Sequence, residues 1–216
     1  MTKYRLTDLV HDIRVALDEN MSSASLSELG DADSLSLDEV IKSKIEEAAR
    51  LVILAAPSHL LGSGVPFGKS IGWHGAAGYG SGYVIVPDDF LRLVIFQMSD
   101  WSRAVYDFIT PEDPKYNLQS SRYPGLRGNP QKPVVALVNS SIGRMLEFYS
   151  CSSGDEAHIK QAAYIPEPRI IGDVIFLCEK LKEPTIYQAA HFVASTMGET
   201  DKAAALLNIS KQLLEQ

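Results

Sequence analysis

The chain of 216 residues carries a formal net charge of −7 and is 45% hydrophobic and 22% charged, which is ordinary for a globular protein. The negative charge argues against a general nucleic-acid binder, which would usually carry a basic domain. Two cysteines, Cys151 and Cys178, form no disulfide framework and favour a reducing compartment. The N-terminus lacks a signal-peptide layout, and no apolar run approaches the ~20 residues of a membrane helix, so we expect a cytoplasmic origin without a membrane.

Two amphipathic helices are predicted at the N-terminal end of the chain. From residue 2 to about residue 19, apolar side chains recur at helical spacing. Residues 20–35 are small, polar and acidic and predict a loop. Ser36 and Glu39 form a capping box that opens a second helix, which ends before Pro57.

Residues 62–82 hold eight glycines, a density that destabilises both helices and strands. We therefore predict a long mobile loop with two aromatic side chains, Trp73 and Tyr79. Loops of this length are usually functional or disordered. Glycine allows close approach of a backbone to a partner, so the loop is a candidate docking segment with these aromatics as anchors. A solvent-exposed linker is the alternative.

Residues 83–165 are predicted to be rich in β-strands. Runs predicted to be strands occupy 83–86, 91–98, 134–138, 145–151 and 157–165, and the first of them, with Val84, Ile85 and Val86, is rich in β-branched residues. Pro87, Asp88 and Asp89 predict a turn between the first two runs, and a helical turn at 89–93 is the competing interpretation. Five prolines make residues 110–133 an extended, turn-rich excursion.

Helical spacing returns after Pro168. Apolar residues at 171, 174, 175, 178 and 181 predict one helix. Pro184 suits the start of the next helix, Gly198 its C-cap, and Thr200 the start of the last. The predicted fold class is α+β: a helical bundle formed by residues 1–61 and 166–216, with the Gly-rich loop 62–82 and a β-rich insertion at 83–165 between them.

Catalytic motifs are weak in this sequence. Residues 68–72 match the G-x-S-x-G pattern of serine hydrolases, with Ser70 as the nucleophile and His158 or His191 as the base, but no preceding strand is predicted. Gly-Lys-Ser at 68–70 matches the last three residues of the P-loop pattern, but position 63, where that pattern requires its first glycine, is Ser63. The histidines show no metal-ligand spacing, so we predict no cofactor and no metal.

Charge is distributed unevenly along the chain. No Asp or Glu lies between Lys115 and Leu146, whereas residues 17–47 hold nine carboxylates. This polarity suits head-to-tail packing of copies; two solvated faces, or nucleic-acid binding by the basic stretch, are the alternatives. The candidate interface residues are Trp73, Tyr79, Lys115, Arg122, Tyr123, Arg127 and Lys132.

The order of these segments resembles a known family. The helix pair is followed by Val86-Pro-Asp-Asp-Phe-Leu-Arg-Leu-Val94 and then by the strand-rich middle. The chain closes on Ala189-Ala-His-Phe-Val-Ala-Ser-Thr-Met-Gly-Glu-Thr-Asp-Lys-Ala-Ala-Ala-Leu-Leu207. This pattern is similar to the head–tail connector proteins of tailed bacteriophages, also called adaptor, neck or ring proteins, of the short-tailed type.

The resemblance implies a structural virion protein without catalytic residues. Copies would form a closed homo-oligomeric ring between the portal protein and the next tail or ring protein. Genomic DNA would pass through the lumen without sequence-specific binding. The protein would be made in the host cytoplasm and reside in the neck of the virion. A serine hydrolase that uses Ser70 and a non-phage cytoplasmic adaptor domain are the alternatives.

Overall fold

The computed structural model describes residues 1–18, 36–68, 70–74, 80–121, 123, 125–151 and 156–215. It contains both helices and sheets, so the predicted α+β class is confirmed. The chain divides into two compact units: a helical unit, Met1–Gly62 with Glu167–Gln216, and a β unit, Ser63–Pro166. The predicted loop at 20–35 lies outside the described residues.

The secondary-structure elements follow one another in the order helices, strands, helices. They are β1 (Thr2–Arg5), α1 (Leu6–Ala16), α2 (Leu37–Ala55), β2 (Val65–Pro66), β3 (Gly72–Trp73), β4 (Gly82–Ile85), β5 (Phe90–Met98), α3 (Pro114–Leu118), β6 (Val135–Ser140), β7 (Gly143–Phe148), β8 (Ile159–Pro166), β9 (Val174–Leu177), α4 (Lys182–Thr196) and α5 (Thr200–Leu214). The strand runs predicted within 83–165 match β4 to β8 in type and closely in position, and that prediction is confirmed.

Helix α4 occupies the centre of the helical unit, where it packs against α1, α2 and α5. Ala189, Ala190 and Ala194 on α4 are fully buried together with Val193. Small side chains allow neighbouring helices to approach closely, as ridges fit into grooves. Helix α2 begins as predicted: the Ser36 N–H donates to Glu39 Oε2 (2.7 Å), and the Glu39 N–H donates to Ser36 Oγ (3.4 Å).

Two helix predictions in this unit are wrong. The first four residues of the predicted 2–19 helix form β1, and residues 174–177 of the predicted 171–181 helix form β9, which pairs antiparallel with β1. In β9, Ile175 and Leu177 are buried while Phe176 is exposed, which is the two-residue period of a strand. Residues 174–177 are all apolar, so they fit both periods, and pairing with β1 decides between them. Cys178 is buried as expected, but it lies outside any α-helix.

The β unit contains two antiparallel sheets with the strand orders β2-β8-β5 and β3-β4-β7-β6. An aromatic core fills this unit. Phe96 and Phe148 are fully buried, with ring centroids 6.0 Å apart, and Trp101 lies edge-on to Phe96 at 5.6 Å. Such aromatic pairs add stabilisation beyond the area that they bury.

The predicted Gly-rich loop is wrong at two places, because β2 and β3 lie within residues 62–82. β2 pairs with β8, and β3 pairs with β4. Gly64 makes the first pairing possible: its φ is +66°, and a Cβ there would lie 2.7 Å from the Tyr164 carbonyl oxygen. The expected mobility of residues 75–79 falls outside the described residues.

The predicted turn at Pro87–Phe90 is present and connects strands of different sheets. The Phe90 N–H donates to the Pro87 carbonyl (3.0 Å), and Arg144 Nη2 donates to the Phe90 carbonyl (2.6 Å). The Tyr164 hydroxyl donates to Asp89 Oδ1 (2.9 Å), and the Tyr164 ring stacks on Phe90 at 5.4 Å. The pair Asp88-Asp89 therefore belongs to a turn, as the sequence indicates.

The corner between α4 and α5 uses Gly198 at a φ of +83°, as a C-capping glycine requires. The sequence predicts that Val193 and Leu207 face each other across this corner. Val193 is fully buried, but Leu206 is the buried leucine of α5, and Leu207 is only half-buried. Near the edge of an apolar helix face, the helical period alone does not tell which of two adjacent residues is buried.

Replacement of Val193 by Asp places an unpaired charge in the centre of the helical unit. We expect a loss of about 4 kcal/mol in the free energy of unfolding, because burial of an introduced carboxylate among apolar side chains is costly. Chemical denaturation followed by circular dichroism measures this loss. Ala204→Asp on the exposed face of α5 is the control and should cost less than about 0.5 kcal/mol. Equal midpoints for the two variants would contradict the central position of α4.

Burial, followed by the hydrogen bond to Asp89, raises the pKa of Tyr164 from its usual value of 10 to about 12. Since the pKa is higher in the folded state, this contribution to stability is complete below pH 10 and is lost as the pH rises toward 12. We therefore expect the stability difference between wild type and Tyr164→Phe to shrink over that interval. Unfolding measured from pH 9 to 12 tests this expectation, with exposed Tyr106→Phe as the control. A difference that is independent of pH would contradict it.

Candidate interaction surface

The predicted interface residues have different environments in the structure. Lys115 and Lys132 are exposed, and Tyr123 is 72% exposed, so these three lie at the surface of the β unit. Arg127 is half-buried and lines a cavity. Tyr79 and Arg122 lie outside the described residues.

Trp73 differs from its predicted role as a free anchor. It lies on the core-facing side of β3, half-buried, with its ring edge-on to Phe148 at 5.4 Å. In the structure, this indole stabilises the aromatic core of its own unit. Its role as an interface anchor stays a prediction, and that role would have to use the part of the ring that is still exposed.

A polar cluster holds α3 onto the outer face of the four-stranded sheet. Its centre is Glu147 on β7, whose carboxylate accepts hydrogen bonds from the hydroxyls of Tyr149 and Tyr116, the latter at 3.3 Å. The Glu147 side chain is only 14% exposed, and His74 Nε2 lies 3.8 Å from its Oε1. Glu147 and Phe148 are successive residues of β7, so their side chains point to opposite faces of the sheet. The same strand therefore supplies the core and this cluster.

Burial raises the pKa of both tyrosines in this cluster. For Tyr149 the pKa lies well above its usual value of 10, because burial and the hydrogen bond to Glu147 both disfavour the phenolate. For Tyr116 burial is again the largest cause, and the nearby Glu147 charge adds to it. Both hydroxyls remain protonated donors at neutral pH, and the Tyr116 hydroxyl joins α3 to Glu147 on the sheet.

A cavity of about 620 Å³ lies between α3 and the sheet, next to this cluster. Its lining includes Ser81, Tyr116, Asn117, Arg127, Glu147 and Tyr149. One carboxylate, one guanidinium and several hydroxyls therefore face a shared space. Such a lining is suited to polar contacts with a partner more than to burial of an apolar ligand.

Residues 119–121, 123 and 125–128, which we call the latched loop, follow α3. Gln119 is buried; its Oε1 accepts from the Gly128 N–H (2.8 Å), and its Nε2 donates to the Lys115 carbonyl (2.9 Å). At the tip, the Leu126 N–H donates to the Tyr123 carbonyl (3.0 Å). The base of the loop is thus held by a buried amide, and Tyr123 and Leu126 remain exposed at its tip.

The structure around Ser70 does not form a nucleophile elbow. Such an elbow requires a strand, a sharp turn and a helix, whereas Ser70 is followed by strand β3. The same absence of a following helix argues against a phosphate-binding loop at Gly68. Of the two histidines considered as bases, His158 is exposed, and His191 Nδ1 lies 2.9 Å from the Ala203 carbonyl oxygen.

Within the described part of the chain, no group of three or more His, Cys, Asp or Glu side chains could hold a metal ion. The helices in that same part are too short or too polar to cross a membrane.

The sequence did not reveal the importance of Glu147 and Gln119. Glu147 is the first acidic residue after a long stretch without one, and Tyr149 shares its face of the strand. That alternation is a signal for a polar pair on one side of a sheet. Gln119 carries no comparable signal, because its role depends on the fold of the loop, which brings the Gly128 N–H to the Gln119 side chain.

Comparison with protein-family models gives no match, and comparison with curated proteins gives none either. Functional assignment therefore depends on the residues themselves and on their arrangement.

Removal of the central carboxylate tests the polar cluster. We expect Glu147→Ala to lower the free energy of unfolding of the β unit by about 2 kcal/mol, since two tyrosine hydroxyls lose their acceptor. Hydrogen exchange at residues 114–118 should become faster as α3 loosens. Exposed Glu156→Ala is the matched control and should change neither quantity. Unchanged exchange in Glu147→Ala would show that α3 is held by other contacts.

Proposed function

We propose that the chain is a structural virion protein, a subunit of the head–tail connector ring of a tailed bacteriophage. Copies form a closed ring that joins the portal protein to the next tail or ring protein. Genomic DNA passes through the lumen without sequence-specific contacts. The protein resides in the virion neck after assembly in the host cytoplasm, and it has no catalytic residues and no cofactor.

The architecture supports this proposal. The helical unit is formed by both ends of the chain, so it corresponds to the helical bundle that the resemblance implies, with the β unit as its insertion. The segment 189–207, which carries the resemblance most clearly, forms the corner between α4 and α5. The segment 86–94 forms the turn and the first half of β5.

The separation of charge between the two units is the observation that carries the proposal furthest. The helical unit holds eleven Lys and Arg against eighteen Asp and Glu, which gives −7, and the β unit holds nine against nine, which gives zero. All of the net charge thus lies in one unit. Copies that meet through unlike units avoid the repulsion that would arise between two acidic helical units. Head-to-tail contacts of this kind can close into a ring.

The serine hydrolase is the alternative of a different class. The exposed Ser70 precedes a strand, and this local structure favours a non-catalytic role. A non-phage adaptor domain would also self-associate, but it would not bind a portal protein. Binding to a portal protein therefore distinguishes the connector from the adaptor.

Assembly with the portal protein of the same genome tests the proposed function. We expect the purified chain, mixed with that portal, to co-elute in size-exclusion chromatography with light scattering and to form a ring in negative-stain images. Ser70→Ala should assemble like wild type. A chain that stays monomeric with and without the portal would contradict the proposal. Esterase turnover that is present in wild type and lost in Ser70→Ala would favour the hydrolase.

A further inference from the structure

The cavity between α3 and the four-stranded sheet has walls that are held in place by hydrogen bonds of their own. The hydroxyls of Tyr116 and Tyr149 both donate to Glu147 Oε2, which fixes the orientation of this carboxylate. The Gln119 side chain is engaged with two backbone groups. Side chains that are positioned before a ligand arrives lose little conformational entropy when it binds. The cavity is therefore pre-organised, and its volume of about 620 Å³ lies within the ordinary range of ligand sites.

Other polar groups in the lining still have hydrogen-bonding capacity. Glu147 Oε1 has His74 Nε2 at 3.8 Å, which is longer than a hydrogen bond. In the described part of the chain, the Ser81 hydroxyl and the Asn117 side-chain amide make no hydrogen bond to protein, and both side chains line the cavity. The lining thus offers a carboxylate oxygen that accepts, and an amide and a hydroxyl that both donate and accept.

The charges in the lining disfavour a charged ligand. Among the described residues that line the cavity, Glu147 is the acidic one and Arg127 the basic one, so their formal charges cancel. A ligand with a single charge would be attracted by one of these groups and repelled by the other. An entirely apolar ligand would leave the carboxylate, amide and hydroxyl groups without hydrogen-bond partners, which is costly. The class that fits is a neutral ligand with many polar groups.

We propose that this cavity binds a neutral saccharide. Each hydroxyl of a sugar both donates and accepts, which matches a lining of mixed donors and acceptors. One sugar hydroxyl donates to Glu147 Oε1, and the Asn117 amide binds a neighbouring hydroxyl. The rings of Tyr116 and Tyr149, with centroids 6.4 Å apart, present apolar surface to the C–H groups of the sugar. This inference goes beyond the connector proposal and does not rest on it, because the cavity lies within the β unit of one copy.

Titration of the full chain with disaccharides tests the site. The probes are maltose, cellobiose and diacetylchitobiose, and the measurement is the amide proton–nitrogen correlation spectrum of the protein. We expect at least one of them to shift the signals of residues 116–121 and 147–149. The dissociation constant should be about 1 mM, since a polar ligand in a site that is open to water binds weakly. Glycylglycine, a polar zwitterion, should leave these signals unchanged.

Two variants change the site while keeping its walls. Asn117→Ala truncates an exposed amide and should weaken saccharide binding about fivefold, whereas the matched control Asn139→Ala, exposed on β6 outside the lining, should not. Glu147→Gln keeps an oxygen acceptor for the two tyrosine hydroxyls but removes the negative charge. We expect it to weaken binding of the neutral saccharide about tenfold and to strengthen binding of glucuronate, an anionic sugar. A merely structural role of Glu147 would not produce that second change.

Three results would overturn the proposal. One is the absence of shifts in the lining with all three disaccharides. Another is a response to glycylglycine without a response to any saccharide, which would show a site for a zwitterion. The third is equal affinity of Asn117→Ala and Asn139→Ala, which would place the binding elsewhere. None of these results bears on ring assembly, so the connector proposal is judged by its own experiment.

Discussion

Strand β2 is only two residues long, yet its pairing with β8 joins the two ends of the β unit. Val65 lies opposite Tyr164 and Pro66 opposite Ala163, so the chain enters and leaves this unit through neighbouring strands. Gly64 permits the approach, because any side chain there would meet the Tyr164 carbonyl. Since the entropy of loop closure rises only slowly with length, a long insertion closed in this way costs little more than a short one. The helical unit can therefore be formed from both chain ends.

Each of the two units is stabilised internally by its own kind of packing. In the helical unit, alanines on α4 allow three neighbouring helices to approach, and the stabilisation comes from close contact of small side chains. In the β unit, rings of Phe67, Phe90, Phe96, Trp101 and Phe148 form a chain of edge-on and tilted contacts. Aromatic side chains bury more area per residue, which suits two small sheets that enclose one core. Each unit thus has its own core.

Two largely buried polar side chains, Glu147 and Gln119, position α3 and the latched loop. Glu147 binds α3 through the Tyr116 hydroxyl and also accepts from Tyr149 on its own strand segment, and Gln119 fixes the latched loop through two backbone groups. Both side chains are largely withdrawn from water, so each of these hydrogen bonds is costly to lose. Their combined effect is to hold α3 and Gly128 in place, while Tyr123 and Leu126 between them stay exposed.

The sequence by itself determined the elements whose signals are local. The capping box at Ser36, the apolar runs of β4 to β8 and the glycine at 198 each act through neighbouring residues, so they could be predicted. Tertiary structure alone decided the others. Residues 174–177 became a strand because β1 pairs with them, and residues 65–66 and 72–73 became strands because β8 and β4 lie alongside. The roles of Glu147 and Gln119 were likewise hidden, because their partners lie far away along the chain or reach them only through the folding of a loop. Backbone pairing and buried polar contacts depend on such partners, and a local pattern does not contain them.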